Sequence, residues 1–506
     1  MTISLLPEDA SDKELTRKVS PNCADYPNRH NRYDLIVVGG GTAGLVAAAG
    51  AAGLGARVAL IERDLLGGDC LNAGCVPSKA LLASAHVAAL SRGATTYGLH
   101  QPAGEVHFPE VMQRLRGLRA SLADNDSVER FTGLGVHLFG GTAHFVGADC
   151  LEVQGQRLNF SRAIVATGTR PAVPAIPGLA EAGFYTNESI FTLTELPPRL
   201  VVLGGGPIGC ELAQAFARLG SQVTLLQRDD RLLPRDDAEA ASLVQESLQR
   251  DGVEILTRCT VAQVQRREQE TVLTTHTAQA GAREVVADAL LVATGRQPNV
   301  EALDLQAAGI AFDGHGVQVN DHLRTTNRRV YAAGDICSRF RFTHAADAMA
   351  RIAVQNALFL GRARASALVI PWCTYTSPEL AQVGLTEEEA RQQRIPVQIF
   401  RLAMAHVDRA VLDGETEGFV KLLVRAGTDR ILGATLVGSR AGDLVGEITL
   451  AMTHGLGLRQ FASTIHPYPT RAEVLRKLGD AYNRTRLTPW VRWLLNGWLR
   501  LRRLIP

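Results

Sequence analysis

The sequence predicts an α/β protein that contains two copies of one βαβ unit, followed by a separate α+β domain. From Tyr33, the run YDLIVVGGGTAGLVAAAGAAGLGARVALIER has the pattern of a strand, a glycine turn, an Ala-rich helix and a second strand. The pattern returns in RLVVLGGGPIGCELAQAFARLGSQVTLLQR, where Gly204 stands 165 residues after Gly39. A chain of 506 residues has room for about three domains, so a third domain is expected beyond the two repeats.

The composition is that of a folded protein with substantial cores. Hydrophobic residues make up 46% of the chain and charged residues 21%. Lys and Arg number 53 against 51 Asp and Glu, which excludes the strong basic field of a nucleic-acid-binding protein. Eight cysteines are too few for a disulfide scaffold, and residues 1–33 lack the apolar core of a secretory signal. We therefore expect a cytoplasmic protein without a membrane-spanning segment.

The segments outside the βαβ repeats carry weaker patterns. Residues 1–33 contain scattered prolines and an isolated Cys23, and we predict an irregular N-terminal extension. The segments IVATGTRP and LVATGRQP echo each other and have the pattern of crossovers between domains. From Pro371 to Asn483 strand-like runs alternate with polar helical runs, which predicts the third, α+β domain.

The first glycine turn has the fingerprint of a Rossmann-like dinucleotide-binding fold. Gly39, Gly41 and Gly44 form GxGxxG directly after a strand, where they permit a tight turn, close approach of a pyrophosphate and close helix packing. Glu62 follows eighteen residues later, at the predicted end of the second strand. Its carboxylate can accept both ribose hydroxyls of an adenosine without a 2′-phosphate.

The second glycine turn repeats the fingerprint with Gly204, Gly206 and Gly209. The position of the ribose-binding acid is taken by Gln227, which is followed by Arg228. An arginine here can pair with a 2′-phosphate, and Arg231 and Arg235 are close in sequence. This favours NADPH over NADH. The alternative is a solvated basic loop that accepts either nicotinamide.

The segment GGDCLNAGCVPSKALL places Cys70 and Cys75 five residues apart at a predicted helix start, with Pro77 suited to the first turn. A helix N-terminus stabilises a thiolate, so the pattern indicates a redox-active pair. Two cysteines alone cannot complete a tetrahedral zinc site, and no nearby histidine or CxxC motif joins them. We expect the other six cysteines to be buried small hydrophobes.

With these motifs the chain resembles the flavoprotein disulfide reductases, the family of glutathione reductase, lipoamide dehydrogenase and mercuric reductase. The resemblance covers about residues 33–483, and its motifs occur in family order: GGGTAG with Glu62, GGDCLNAGCVPSK, ATGTRP, GGGPIG, ATGRQPN and YAAGDI. It implies an FAD-binding domain (34–178 and 296–365), an NAD(P)H-binding domain (179–295) and a dimerisation domain (366–483). The expected protein is therefore a homodimer that uses FAD and a nicotinamide.

The resemblance also assigns roles to residues. Cys75 would be the thiol that contacts the flavin, and Cys70 the interchange thiol that attacks substrate. Lys79 and Glu211 would pair beside the flavin N5, and Asp335 would bind the ribityl chain. The remaining expected cofactor contacts are Thr167, Gly168, Gly295 and Ala345, in addition to the two glycine turns and Arg228.

The resemblance leaves the general acid/base near the C-terminus open. Disulfide reductases carry a histidine five residues before an acid, whereas in IHPYPTRAE the residue five before Glu473 is Tyr468. Mercuric reductases are similar in having tyrosine there. A tyrosine with a pKa of about 10 is a poor proton shuttle near neutrality. We expect Tyr468 to serve the dithiol, from the other subunit, and keep His466 as the alternative base.

These features predict an NADPH-dependent FAD enzyme whose Cys70–Cys75 dithiol reduces a soft metal ion, as in mercuric reductase, or another small oxidant. The last cysteine of the sequence is Cys373, and Cys23 stands alone in residues 1–33. We therefore expect the chain to depart from mercuric reductases in lacking their C-terminal vicinal cysteine pair and their N-terminal cysteine-bearing metal-binding domain. One alternative is a disulfide or quinone reductase. Another is a non-catalytic flavin redox sensor at a membrane surface.

The last segment, residues 484–506, holds six arginines and no acid. Trp490, Leu494, Trp498, Leu501 and Ile505 recur at steps of three or four, and Arg492, Asn496, Arg500 and Arg503 form a second such series. The pattern predicts a basic amphipathic tail over residues 484–506, in which residues 487–506 would make the contact. The sequence leaves two alternatives for the surface that covers the apolar face of this tail. The tail could pack on the enzyme's own dimer, or it could attach the enzyme peripherally to the anionic inner leaflet of a membrane.

Overall fold

The computed structural model describes residues 5–21, 31–100, 104–277 and 281–503, so Cys23 and Ile505 lie outside the described residues. The chain forms two compact units. One unit consists of Met1–Leu232 with Leu248–Leu368, and the other of Leu233–Ser247 with Val369–Pro506. Both βαβ repeats lie in the first unit, and the predicted α+β domain lies in the second. The finer domain boundaries given above stay predictions.

The N-terminal segment contains a helix, α1 (Ala10–Val19), so the expectation of an irregular extension is wrong for this part. Asp9 caps the helix by accepting a hydrogen bond from the backbone N–H of Asp12 at 2.9 Å. The side chains of Leu15 and Val19 are completely buried in the core of the first unit. The segment therefore folds as part of this unit.

A buried ion pair explains why the sequence pattern missed this helix. Asp12 occupies one of the inward positions of α1, where a hydrophobic residue would be expected. Its carboxylate pairs with the Arg119 guanidinium at 2.6 Å, and both side chains are at most 3% exposed. Burial raises the pKa of Asp12, and the attraction of Arg119 opposes this effect. Only the tertiary fold reveals that the charged residue faces the core.

The first dinucleotide-binding fold follows the predicted order. Its elements are β1 (Tyr33–Val38), α2 (Thr42–Gly53), β2 (Val58–Glu62), α3 (Gly68–Asn72), α4 (Cys75–Arg92), α5 (Phe108–Leu122), α6 (Val128–Gly133), β3 (His137–Gly140), β4 (Ala143–Gly147), β5 (Cys150–Val153), β6 (Gln156–Val165), β7 (Thr169–Pro171) and α7 (Leu179–Ala182). The strand order is β3-β2-β1-β6-β5-β4. Strands β1 and β2 are parallel, and the first glycine turn joins β1 to α2 at the carboxyl edge of the sheet.

The second dinucleotide-binding fold repeats this arrangement. Its elements are β8 (Arg199–Leu203), α8 (Pro207–Leu219), β9 (Gln222–Leu226), α9 (Ala238–Arg250), β10 (Glu254–Leu256), β11 (Cys259–Arg267), β12 (Glu270–Thr277), β13 (Gly281–Ala287), β14 (Ala289–Val292) and β15 (Arg296–Pro298). The parallel sheet has the order β10-β9-β8-β14. Strand β15 pairs antiparallel with β7, so the two segments that echo each other in the sequence are hydrogen-bonded to each other.

The chain then returns to the first sheet through β16 (Phe312–Asp313), β17 (Gly316–Val317), β18 (Val330–Ala332) and α10 (Thr343–Leu358). Strand β18 pairs parallel with β6, and α10 packs against α2. This return positions Asp335, just after β18, and the N-terminus of α10 near the glycine turn. A Cβ on Gly334 would lie 3.2 Å from Ala43 of α2 and 3.3 Å from Ala346 of α10.

The second unit is an α+β domain, as expected. Its elements after residue 369 are β19 (Pro371–Thr374), β20 (Glu379–Gly384), α11 (Glu387–Gln392), β21 (Val397–Ala403), α12 (Asp408–Leu412), β22 (Phe419–Arg425), β23 (Ile431–Gly438), α13 (Ala441–Thr453), α14 (Leu458–Ser463), α15 (Glu473–Thr485) and α16 (Pro489–Arg502). The five strands form an antiparallel sheet, β19-β20-β23-β22-β21. Helices α13 to α15 contribute Ile448, Leu458, Val474 and Leu478 to its core, whereas α16 buries no residue.

One stretch of helix, Gly68–Arg92, is long and apolar enough to cross a membrane by length and composition alone. It comprises α3 and α4, and it contains Asp69, Lys79 and the two cysteines of the predicted dithiol. Leu71 and Leu81 of this stretch are buried in the first unit. Because these leucines pack into the core and the stretch carries charged residues, we interpret Gly68–Arg92 as core helices of the first unit.

Candidate active site

The two cysteines of the predicted dithiol meet at the junction of α3 and α4. Cys70 lies in α3, and Cys75 is the first residue of α4. Both are free thiols, and they form a hydrogen bond with each other. The hydroxyl of Thr343, the first residue of α10, lies 3.5 Å from the Cys75 sulfur. The short α3 therefore folds the five-residue spacing into direct contact of the two thiols.

The surroundings divide the two thiols into a thiol and a thiolate. The hydrogen bond from Cys70 lowers the pKa of Cys75 to about 6, with help from Thr343 and from the charge of Lys79. Protein atoms around the Cys75 sulfur partly desolvate it, and this desolvation raises the pKa and opposes the decrease, although the residue is exposed. The same hydrogen bond raises the pKa of Cys70, and burial adds to this. At pH 7, Cys75 is therefore the charged partner, consistent with its position at a helix N-terminus.

Lys79 and Glu211 are brought together from α4 and α8. Lys79 Nζ lies 2.7 Å from Glu211 Oε2, and the glutamate side chain is only 6% exposed. Lys79 lies one helical turn after Cys75, which places its charge on the same side of α4 as the sulfur. This pair thus connects the dithiol helix to the helix that follows the second glycine turn.

A polar network around Asp69 was missed by the sequence analysis. Asp69 Oδ1 accepts a hydrogen bond from the Asn187 amide at 2.9 Å, and Oδ2 pairs with the Arg296 guanidinium at 2.9 Å. Arg296 also donates to the Thr169 hydroxyl at 2.7 Å, which in turn donates to Asp335 Oδ2 at 2.9 Å. The charge of Asp69 raises the pKa of both cysteines, so Arg296 offsets a carboxylate that disfavours the thiolate.

The first glycine turn fits a dinucleotide. A Cβ on Gly44 would lie 1.7 Å from the Gly39 carbonyl oxygen, so the close packing of α2 on the turn requires glycine there. At Gly41 the nearest protein atom would be 3.8 Å away, so the protein itself does not require glycine at that position. The structure therefore leaves room for a ligand to approach the backbone at the N-terminus of α2.

Glu62 ends β2 beside this turn. Its carboxylate accepts hydrogen bonds from the backbone N–H groups of Gly40 at 2.5 Å and Asp64 at 2.7 Å. Burial raises its pKa, and these two hydrogen bonds oppose the increase. The backbone thus fixes the orientation of the carboxylate that was predicted to bind a ribose.

The second glycine turn has the same geometry with a different side chain. A Cβ on Gly209 would lie 1.8 Å from the Gly204 carbonyl oxygen, whereas one on Gly206 would meet nothing within 4 Å. Gln227 accepts from the Gly205 N–H at 2.8 Å, just as Glu62 accepts from Gly40. Because Gln227 has an amide, it also donates to Asp229 at 2.8 Å.

Arg228 and Asp229, a cation and an acid next to each other in the sequence, follow the second strand of this fold. The Arg228 side chain is exposed. Asp229 is an acid that the comparison with Glu62 overlooked, because it stands two residues beyond the usual position. An exposed cation and an exposed acid therefore stand side by side just after β9.

The other predicted cofactor contacts cluster near the β7–β15 pair. Thr167 donates its hydroxyl hydrogen to the Asn299 carbonyl at 2.9 Å, and the Gly168 carbonyl accepts from the Asn299 N–H at 3.0 Å. Gly295 has a φ of 144°, which favours glycine. Burial raises the pKa of Asp335, and Ala345 is buried in α10.

The two candidate bases of the second unit have different surroundings. His466 is largely buried, and its Nε2 lies 2.9 Å from Glu447 Oε1. Tyr468 is 72% exposed, and its hydroxyl donates to Asp408 at 3.0 Å, which raises the pKa of Tyr468. The Glu473 carboxylate pairs with Arg476 at 3.1 Å, so the acid that the Tyr468 hydroxyl contacts is Asp408. His466 is thus engaged within its own unit, whereas Tyr468 faces outward.

Among residues 5–21, 31–100, 104–277 and 281–503, no group of three or more His, Cys, Asp or Glu side chains could hold a metal ion. The Cys70–Cys75 pair therefore has no third protein ligand of these types in the described part of the chain. A metal ion that meets this dithiol would be bound by two sulfurs and would keep exchangeable positions.

The comparisons with known proteins agree with this geometry. Residues 33–350 match the family model "Pyridine nucleotide-disulphide oxidoreductase", and residues 370–478 match the dimerisation domain of that family. The chain belongs to the pyridine nucleotide-disulphide oxidoreductase family. Members of this family bind FAD and NAD(P)H, and the chain is an enzyme with a dimerisation domain. The fold class and the resemblance predicted from the sequence are confirmed.

The relatives include several activities. A mercuric reductase from Staphylococcus aureus is 36% identical over 90% of this chain and 83% of its own length. A dihydrolipoyl dehydrogenase from Thermus scotoductus is 35% identical over 89% of this chain and 98% of its own. Among solved structures, a Cu(II) complex of the HOCl-induced flavoprotein disulfide reductase RclA from Escherichia coli is 30% identical, with a TM-score of 0.78 over 88% of this chain and 98% of that one. The family is thus shown, and the electron acceptor differs between its members.

Proposed function

We propose that this enzyme uses NADPH to reduce a soft metal ion, with Hg(II) or Cu(II) as the class of acceptor. The observation that carries the proposal is the pairing of the Cys70 thiol with the Cys75 thiolate, combined with an exposed Tyr468 at the position where disulfide reductases carry their histidine. Reducing a disulfide substrate requires a proton for the departing thiolate, whereas reducing a metal ion does not. The chain has the dithiol that both reactions need. In the described part of the chain the side chain of His466, the alternative to the base that only the first reaction requires, is 6% exposed.

The residues of the site have distinct roles in this proposal. FAD, held by the first glycine turn and Asp335, would supply two-electron transfer between the nicotinamide and the Cys70–Cys75 pair. Cys70 meets the acceptor, and Cys75 holds the second sulfur in its thiolate form. Thiolates bind soft metal ions strongly, so the pair can capture one as the ligands it arrives with depart. For mercury, NADPH and Hg(II) give NADP⁺, a proton and Hg(0). For copper, NADPH and two Cu(II) ions give NADP⁺, a proton and two Cu(I) ions, so each reaction balances two electrons.

The remaining residues hold these groups in place. Lys79 and Glu211 fix α4 against α8, and the positive charge favours the Cys75 thiolate. Arg296 neutralises Asp69 beside Cys70. Tyr468, supplied by the second subunit of the dimer, is expected to contact the acceptor through its hydroxyl. Such a network keeps the dithiol in one protonation arrangement between turnovers.

Arg228 supports a preference for NADPH over NADH. The exposed guanidinium can pair with a 2′-phosphate, whereas Asp229 is engaged by the Gln227 amide. Because the reaction needs reduced thiols and a nicotinamide pool, we propose that the enzyme works in the cytoplasm.

A screen of electron acceptors tests the proposed function. NADPH oxidation by the FAD-loaded dimer is measured with Hg(II), Cu(II), glutathione disulfide, lipoamide and quinones, with the metal ions buffered by excess small thiol or amino-acid ligand. We expect the highest kcat/KM with a metal ion and slow turnover of glutathione disulfide. Rapid reduction of lipoamide or glutathione disulfide would instead support the activity of the dihydrolipoyl dehydrogenase relatives and would make His466 the base.

A further inference from the structure

Helix α16 (Pro489–Arg502) extends beyond the core of the second unit and buries none of its residues. Thr488 caps its N-terminus by accepting a hydrogen bond from the Val491 N–H, and Pro489 occupies the first turn. The preceding helix, α15, ends the core with Tyr482. The helix is therefore well specified by its own sequence although nothing in the described part of its own chain covers it.

The exposed surface of α16 is unusually apolar. Trp490, Trp493 and Trp498 are 66%, 68% and 58% exposed. The large apolar side chains of the helix, Trp490, Val491, Trp493, Leu494, Leu495, Trp498, Leu499 and Leu501, occupy more than half of its circumference at 100° per residue. A helix that packs on a protein surface needs a stripe of only about 100°. A fluid interface can cover the wider arc.

The charge of the segment matches an anionic surface. Residues 484–503 contain six arginines and no acid, and Arg492, Arg500 and Arg503 lie together on the polar side of α16. Arg502 lies within the apolar arc near the C-terminus of the helix, from where its long side chain can extend to lipid headgroups. With 14 residues, α16 is about 21 Å long, which is too short to span a bilayer core of about 30 Å.

We propose that α16 binds peripherally to anionic lipid bilayers, with its tryptophans and leucines among the acyl chains and its arginines at the phosphate groups. The enzyme would then deliver its reducing activity at the membrane surface. This inference is independent of the electron acceptor, because it rests on residues of α16 alone, and none of these belongs to the candidate active site.

Intrinsic fluorescence gives a direct test. Three of the four tryptophans lie in α16, and the fourth, Trp372, donates its indole N–H to Asp236 at 2.7 Å within the second unit. Adding vesicles of phosphatidylglycerol and phosphatidylcholine to the FAD-loaded dimer should shift the tryptophan emission to the blue and bring the protein down with the vesicles. Pure phosphatidylcholine vesicles should do neither to a comparable extent. Truncation after Arg486 should abolish both effects and leave NADPH oxidation unchanged.

Charge variants separate specific binding from general electrostatics. Replacing Arg492, Arg500 and Arg503 by Gln should weaken vesicle binding roughly 100-fold, because each basic residue near an anionic surface contributes about fivefold. The matched control replaces the exposed Arg324, Arg328 and Arg329 of the first unit by Gln, and it should bind like the parent. Equal loss in both triple variants would contradict the proposal.

The alternative to membrane binding is that α16 packs on the enzyme's own dimer. In that case the emission is already blue-shifted without vesicles, the full chain does not sediment with anionic vesicles at low salt, and truncation after Arg486 lowers the melting temperature or dissociates the dimer. Any failure of the full chain to bind anionic vesicles at low salt overturns the membrane proposal, whether or not truncation affects the dimer.

Discussion

The hydroxyl of Thr343 should be one source of the low pKa of Cys75. Its oxygen lies 3.5 Å from the sulfur, and removing it in Thr343→Val takes away a hydrogen bond to the thiolate. Hydrogen bonds to charged groups contribute about 1.5–3 kcal/mol, and one pKa unit corresponds to about 1.4 kcal/mol. Because 3.5 Å is a long contact, we take the lower limit and expect the pKa of Cys75 to rise by about one unit.

The direction of the pKa shift depends on which form of Cys75 the Thr343 hydroxyl stabilises. Thr343 favours the thiolate, so its loss raises the pKa from about 6 towards the ordinary thiol value. At pH 7 the thiolate fraction of Cys75 should fall from about nine-tenths to about half. Turnover that depends on this thiolate should therefore lose activity on the acid side first.

The assay is a pH titration of the two-electron-reduced holoenzyme, with the long-wavelength charge-transfer absorbance of the Cys75 thiolate and flavin as the signal. Cys75→Ser should abolish this signal and serves as the blank. Thr343→Ser keeps the hydroxyl and is the matched control, so its pKa should stay near that of the parent. The reasoning is refuted by a Thr343→Val pKa equal to the parent's, or by equal shifts in both Thr343 variants.

Three further predictions rest on other parts of the structure. Arg228→Gln should lower kcat/KM for NADPH by about 10- to 100-fold with little change for NADH, since it removes a charge-assisted contact to the 2′-phosphate. A parent enzyme that prefers NADH would show that Asp229 binds the ribose instead. Asp12→Ala should lower the free energy of unfolding by about 3–5 kcal/mol, because Arg119 is left as an unpaired buried charge. Chemical denaturation measures this loss, and a loss below about 1 kcal/mol would contradict a structural role of α1. Tyr468→Phe should reduce metal-ion turnover at least about tenfold while reduction of the flavin by NADPH is unchanged, and parent-like turnover with every acceptor would remove Tyr468 from the site.

Much of the fold was predictable because its signals are local. The βαβ repeats are specified by β-branched runs and by glycines whose positions the backbone itself requires, as the 1.7 Å approach at Gly44 shows. The same is true of the dithiol, since Cys70, Cys75 and Pro77 lie in one short segment. These features can be identified in a sequence without knowing what packs against them.

The features that were missed depend on long-range contacts. Helix α1 places Asp12 in the core, where only Arg119, more than a hundred residues away, makes the charge tolerable. The network of Asp69, Asn187 and Arg296 joins three separate segments. Asp69 and Arg296 do stand inside motifs that were identified, in GGDC and ATGRQPN, and their opposite charges were the available signal. Nothing in the sequence around Thr343 indicated its contact with Cys75.

The central claim is that Cys70 and Cys75 together transfer electrons to a metal ion, and Cys70→Ser tests it most directly. Two rates are compared between parent and variant: anaerobic reduction of the bound flavin by NADPH, and steady-state NADPH oxidation with thiol-buffered Hg(II). We expect flavin reduction to stay within about twofold of the parent while metal-dependent turnover falls by about 100-fold or more. Metal-dependent turnover that survives Cys70→Ser at the parent's rate would contradict the account.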